Sequence, residues 1–254
     1  MMPKLLVTII ALCLTLHSSF AAEDAKHPVE QKWNFDGYFG TFDRQSIQRG
    51  FQVYKEVCAA CHGLKRVAYR NLQEIGFSEA EIKAIAAGYT VVDGPNDDGE
   101  MFERPGIPSD KFVSPFKNEK AARAANNGAY PPDLSLIIKA RENGANYVYS
   151  ILTGYNEPVP QGFSLGTGQY YNPYMPGGRI AMAPPLADGQ VQFMDGTEAT
   201  VHQMSKDVVN FLQWAAEPEM EKRKYMGIKA FIYLTIFTVI FIIAKRRVWA
   251  NLKH

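Results

Sequence analysis

Ile47, Phe51, Tyr54 and Val57 recur at three- and four-residue intervals, with Gln48, Arg49, Gln52, Lys55 and Glu56 between them. Side chains so spaced share one helix face, which predicts an amphipathic helix running up to Cys58. Val201, Met204, Val208, Phe211, Leu212 and Ala215 form a second such face, predicting a helix over 200–216 that Pro218 breaks. Shorter helices are marked by their ends. Ser78 and Glu81 make a capping box, each side chain accepting the other's backbone N–H, and Gly88 closes that segment. Residues 118–126 are alanine-rich and predict a helix stopped near Gly128. Asp133, after Pro131 and Pro132, is a good N-cap for a helix over 134–142, and a further helix over 146–152 ends at Gly154. From Tyr155 to Gly196 the periodicity gives way to Gly, Pro, Tyr and Asn. An irregular stretch that long in a compact domain is usually functional. With no internal repeat and no clear strand alternation, the pattern predicts a mainly α fold with long coil segments.

Two apolar runs stand apart. Residues 5–16 follow a short basic start and precede small residues at Ser19 and Ala21. That order is the one a secretory signal peptide has, with cleavage after Ala21 or Ala22; a short buried helix is the alternative. Residues 226–244 are apolar except for Lys229. Nineteen helical residues reach roughly 28 Å, close to the thickness of a hydrocarbon core, and a lysine near one end can snorkel. Charges at 221–224 and at 245–247 fit two headgroup layers better than a buried core helix. The expected division is a signal peptide over 1–21, an exported domain over 22–217, a membrane anchor over 218–246 and an inner tail over 247–254.

The chain has 254 residues and a formal net charge of +1, which gives no field for nucleic acid or an anionic surface. Of its three cysteines, Cys13 lies in the signal. The other two stand in Cys58-Ala59-Ala60-Cys61-His62, the spacing of covalent haem attachment. Two thiols add across the two vinyl groups on one porphyrin edge. The intervening residues set the sulfurs at that separation, and the next imidazole projects under the iron. A zinc site lacks further cysteines, a thiol redox pair lacks its strand–helix context, and a plain disulfide leaves His62 unexplained.

The iron then needs a sixth ligand or an open position. Methionine is common in electron-transfer cytochromes c and raises their potential. The candidates are Met101, Met175, Met182, Met194, Met204 and His202. Met182 is the best placed, because Pro184 and Pro185 stiffen the apolar strap just after it; a core-filling methionine is the alternative. His202 lies just off its helix's buried face and reads as a surface residue. Residues 74–103 hold eight acids (Glu74, Glu79, Glu81, Asp93, Asp97, Asp98, Glu100 and Glu103) against one base, Lys83. They read equally as a solvated face and as a patch that steers a basic partner.

The chain resembles the cytochrome c1 family over essentially the whole exported part. The resemblance is carried by Arg49-Gly50-Phe51-Gln52-Val53-Tyr54 leading into Cys58–His62, by Val67-Ala68-Tyr69-Arg70, Asp93-Gly94-Pro95-Asn96 and Gly99-Glu100-Met101-Phe102, by 121–128 with Pro131-Pro132-Asp133-Leu134, by Leu152-Thr153-Gly154-Tyr155 and Tyr171-Asn172-Pro173-Tyr174, and by Met182-Ala183-Pro184-Pro185 and Trp214-Ala215-Ala216-Glu217-Pro218. It implies a cytochrome c-type domain with one covalent haem c on Cys58 and Cys61, and His62 and Met182 as axial ligands. It implies that Arg141, Tyr54 and Tyr147 lie near the haem propionates. It implies an electron-transfer subunit of the quinol–cytochrome c reductase complex, taking electrons from the Rieske iron–sulfur protein and passing them to a cytochrome c-type acceptor. Cytochrome b, membrane lipid and a dimeric complex are the other expected partners, with no nucleic acid. The expected setting is a bacterial inner membrane crossed once, haem domain periplasmic and C-terminus cytoplasmic. Some bacterial members carry an extra cysteine pair near the haem strap; this chain has none, which leaves that support for a high potential open. A membrane-bound haem enzyme or a gas sensor would instead keep the sixth position free.

Overall fold

The computed structural model describes residues 25–250, so the expected export signal lies outside the described residues. Six α-helices are described: α1 (Arg44–Glu56), α2 (Glu79–Ala87), α3 (Glu119–Ala125), α4 (Gly144–Thr153), α5 (Val201–Ala216) and α6 (Met220–Trp249). Two short antiparallel ribbons accompany them: β1 (Thr90–Asp93) with β2 (Phe102–Pro105), and β3 (Tyr170–Tyr171) with β4 (Arg179–Ile180). The mainly helical expectation holds. The ribbons are an addition, because strands of two to four half-exposed residues are too short to show alternation.

The helix ends follow local chemistry. Asp43 caps α1 by accepting from the N–H groups of Gln45 and Ser46, Asn118 caps α3 through Ala121 N–H, and Thr200 caps α5 through Gln203 N–H. The Ser78–Glu81 box opens α2, with Glu81 Oε2 accepting from Ser78 N at 2.8 Å and from Ser78 Oγ at 2.6 Å. The helix expected over 134–142 is not formed. Residues 134–142 make successive turns instead, with Ile137 N–H on Leu134 O and Lys139 N–H on Leu136 O. The cause is non-local. Leu134 N–H donates to Gly63 O, and one Asp133 carboxylate oxygen accepts Lys65 N–H, so the capping residue is pulled toward the attachment motif.

The core is the packing of α1 on α5. Gly50 lets the backbones approach, since a Cβ there would overlap the Asp207 carbonyl. Phe51, Tyr54, Phe211 and Trp214 interlock across the contact, with ring centroids 5.5 Å apart for Tyr54 and Phe211 and 5.7 Å for Phe51 and Phe211. Beneath them is a buried polar cluster. The Arg49 guanidinium holds Asp207 through Nε at 2.8 Å and Nη2 at 3.0 Å, while Ser46 Oγ and Gln203 Nε2 also donate to that carboxylate. Arg49 Nη1 reaches out to Asp195 at 2.8 Å.

Thr197 N–H first, and Arg49 second, push the Asp195 carboxyl down to about 2. A carboxyl lowered by folding contributes stability above its unfolded value of 3.8 and loses it as pH falls toward the folded value. Unfolding midpoints measured between pH 5 and 2 should therefore fall less steeply in Asp195→Asn than in the parent, with the difference confined below about pH 4.

α6 leaves the domain at once. Met220 is buried, whereas Phe231, Ile240 and Ile243 are well exposed, and among the described residues none of the apolar window is buried. Thirty helical residues extend about 45 Å, long and apolar enough to cross a bilayer. Its foot is tied down: Glu221 accepts Phe42 N–H at 2.7 Å and pairs with Arg44, and Lys224 Nζ donates to the carbonyls of Phe35 and Gly40.

Candidate redox centre

α1 ends at Glu56 and a single 3₁₀ turn, Cys58–Ala60, follows it. Cys61 N–H and His62 N–H both bond back to Cys58 O, at 3.1 and 2.9 Å. The two cysteines and the histidine therefore share one turn at the end of a helix anchored in the core. Both thiols are free. Burial pushes the Cys58 thiol up to about 12, so it stays protonated near neutral pH and is a poor thiolate for disulfide exchange.

His62 is half-buried, and burial lowers its pKa, keeping the ring neutral. Its Nδ1 lies 2.7 Å from the Pro132 carbonyl. A carbonyl only accepts, so Nδ1 carries the proton and Nε2 is left as a lone-pair donor for a metal. Tyr54 Oη donates to the His62 carbonyl at 3.2 Å, fixing the backbone from the other side. Among the described residues no group of three His, Cys, Asp or Glu side chains gathers as a metal cage. The donor set thus supplies one imidazole and two thiols on a turn, which does not suit a zinc centre built from protein ligands.

Met182 lies on the coil just after β4, half-buried, with Ala181, Ala183 and Pro184 exposed around it. Its carbonyl accepts a hydrogen bond of 2.9 Å from Tyr155 Oη. Tyr155 belongs to a 3₁₀ turn, Gly154–Asn156, that prolongs α4.

The cytochrome C1 family model matches residues 33–252. "Cytochrome c1 1, heme protein, mitochondrial" of Arabidopsis thaliana is 51% identical, over 94% of this chain and 79% of its own length. The chain belongs to the cytochrome c1 family. The "Cytochrome b-c1 complex catalytic subunit, mitochondrial" of Candida albicans is 49% identical over 95% of this chain and 84% of its own. "Cytochrome b/c1" of Bradyrhizobium diazoefficiens is 50% identical over 93% of this chain, which spans only 38% of that longer relative.

Within this cytochrome c1 fold, the other residues singled out from the sequence are spread over several elements. Tyr54, buried on α1, reaches the attachment motif through its hydroxyl on the His62 carbonyl. Tyr147, on α4, points its hydroxyl at Met175 Sδ, 3.7 Å away. Arg141 lies exposed in the turns before α4 and donates to the neighbouring Ala140 carbonyl. His202 is exposed and bonds Tyr149 Oη at 2.8 Å. Half of the acidic stretch has local partners: Lys83 pairs with Glu79, Ser78 with Glu81, Asn71 with Glu74, and Arg104 joins Asp93 to Asp110. Asp97, Asp98, Glu100 and Glu103 remain exposed around the β1–β2 connection. Sequence reasoning missed Pro132 and Tyr155 as supports. Both stand in stretches that carry the family resemblance, but neither contact can be read from residue type, since one uses a backbone carbonyl and the other a hydroxyl brought from 27 residues away.

Proposed function

We propose that the chain holds one haem c by thioethers at Cys58 and Cys61, with His62 and Met182 on the two axial positions. It then carries single electrons within the quinol–cytochrome c reductase complex. The observation that carries this is the Cys58–His62 turn: two free thiols, and an imidazole whose Nδ1 is engaged by Pro132 so that Nε2 keeps its lone pair for iron. Haem bound there supplies reversible one-electron chemistry, with a potential raised by sulfur ligation.

The chain's own groups do the rest. The Pro132 carbonyl sets the His62 tautomer and increases the basicity of Nε2. Tyr54 fixes the turn that aims the ring. The strap from Tyr155 to Leu186 brings Met182, whose apolar neighbours Ala181, Ala183 and Pro184 would shield the iron from water once haem is bound. Arg141 spends one N–H on Ala140 O, which leaves guanidinium donors for a propionate carboxylate; Tyr147 binds only a thioether, a weak acceptor it can give up. The resemblance also puts Tyr54 near the propionates, but its one O–H is given to the His62 carbonyl, so Tyr54 supports the turn and only its ring would border that group.

The Rieske iron–sulfur protein is the proposed electron donor and a cytochrome c-type protein the acceptor, with cytochrome b beside the anchor in a dimeric complex. The names of the relatives from Candida albicans and Bradyrhizobium diazoefficiens, which join cytochrome b to c1, support the cytochrome b part of this setting. The haem domain sits on the periplasmic side of a bacterial inner membrane, and residues 247–254 are cytoplasmic. The exposed acids near the β1–β2 connection would meet a basic partner, giving fast and short-lived encounters.

The test is purification from detergent-solubilised membranes. Cytochrome b and an iron–sulfur protein should co-purify, added quinol should reduce the haem, and the reduced haem should not bind carbon monoxide. Ready carbon monoxide binding in the intact complex would replace the carrier with a catalytic or sensing role.

A further inference from the structure

Among the described residues, the Tyr155–Met182 contact is the one hydrogen bond to the backbone of residues 181–185. Upstream, the β3–β4 ribbon fixes the backbone as far as Ile180. Downstream, Leu186 is buried. Between them, among the described residues, no backbone N–H reaches the Met182 carbonyl, and Pro184 and Pro185 have no N–H to give. The phenol of Tyr155 meets that carbonyl at 2.9 Å.

The platform behind Tyr155 is rigid. Gly154 is buried against the Tyr174 ring and Asn172 Oδ1, where a Cβ would overlap both. Asn172, fully buried, donates from Nδ2 to Ile151 O at 2.8 Å and accepts Tyr174 N–H at 3.2 Å. The end of α4, the turn that carries Tyr155 and the start of the β3–β4 ribbon are thus locked together. A rigid donor on five residues that, among the described residues, make no other backbone hydrogen bond fixes where the strap's carbonyl, and hence its side chain, is placed.

We infer that Tyr155 is a positioning residue for the sulfur ligand: its hydroxyl sets the strap so that the Met182 thioether stays on the axial position. This rests on the reading of Met182 as ligand. A thioether is a weak, neutral ligand that exogenous imidazole displaces, and displacement has to lift the strap. Part of the resistance to imidazole is therefore the strength of the Tyr155 bond.

The test uses the haem-loaded full chain in its complex. Imidazole is titrated into the ferric protein while the red charge-transfer band of sulfur-ligated haem is followed. Tyr155→Phe, which keeps the ring, should bind imidazole roughly fivefold more tightly, the size of one hydrogen bond. Tyr149→Phe, which removes a hydroxyl bonded to His202 away from the strap, should titrate like the parent. Replacing Tyr155 by 3-fluorotyrosine, a stronger donor of the same shape, should weaken imidazole binding and decides the matter should the phenylalanine variant fail to accumulate. An unchanged titration at position 155, or an equal shift in Tyr149→Phe, overturns the assignment. Met182→Leu separates this from the ligand reading. If the band survives in Met182→Leu, the ligand assignment fails. If the band is lost there and position 155 has no effect, only the role of Tyr155 fails.

Discussion

Met182→Leu should leave haem covalently attached and abolish electron delivery through it. In the proposed centre the attachment depends on Cys58 and Cys61, which sit on a turn closed by its own backbone bonds and, among the described residues, share no backbone hydrogen bond with the strap. The strap's main-chain bond from Tyr155 is also untouched, because it ends on a carbonyl that leucine shares. What changes is the donor atom: a thioether that favours ferrous iron gives way to an alkyl group that cannot bind. The potential should drop by more than about 60 mV, a tenfold shift for a one-electron couple. Redox titration of the purified complex measures it. Quinol-driven reduction of the haem should stop, and the reduced protein should bind carbon monoxide. Normal turnover with an unchanged potential would show that another of the methionines, or none, closes the iron.

How far the sequence revealed this architecture depended on whether a feature was local. α1 and α5 were legible because Ile47, Phe51, Tyr54 and Val208, Phe211, Leu212 each repeat at helical spacing and really do face the core. α2 was legible because Ser78 and Glu81 satisfy each other within one turn. Residues 134–142 misled because Asp133 has a capping side chain, but its second carboxylate oxygen and the next N–H are claimed by Lys65 and Gly63, some seventy residues earlier. The β1–β2 ribbon escaped for a similar reason, since Arg104 between Asp93 and Asp110 organises it and that pairing has no sequence period. At the candidate site the attachment cysteines and His62 stand in five consecutive residues. Their supports do not. The Pro132 carbonyl is a backbone atom 70 residues away, and Tyr155 reaches Met182 only because α4 places it there.

Asp207 illustrates the same limit and carries the second large expectation. By composition it is one more acid on a helix, yet its side chain is fully buried and accepts from Arg49, Ser46 and Gln203 together. Asp207→Ala removes the acceptor and leaves the Arg49 guanidinium largely buried, with only the more exposed Asp195 as a partner. Deleting one member of a buried charge pair costs about 3–5 kcal/mol, far more than an exposed pair contributes. For a domain of this size that is roughly a 10 °C fall in the unfolding midpoint, read by circular dichroism on the haem-loaded protein. Replacing both partners, as in Arg49→Met with Asp207→Leu, should recover most of the loss, because the penalty lies in the orphaned charge rather than in the absence of the bond. A loss below about 1 kcal/mol in the single variant would mean that water reaches Arg49 and that the cluster does not bind α1 to α5. Because α1 also delivers Cys58, heating the single variant should release His62 from the iron in the same transition that melts the helices. The haem turn has no core of its own, so it can be held only as firmly as α1 is held against α5.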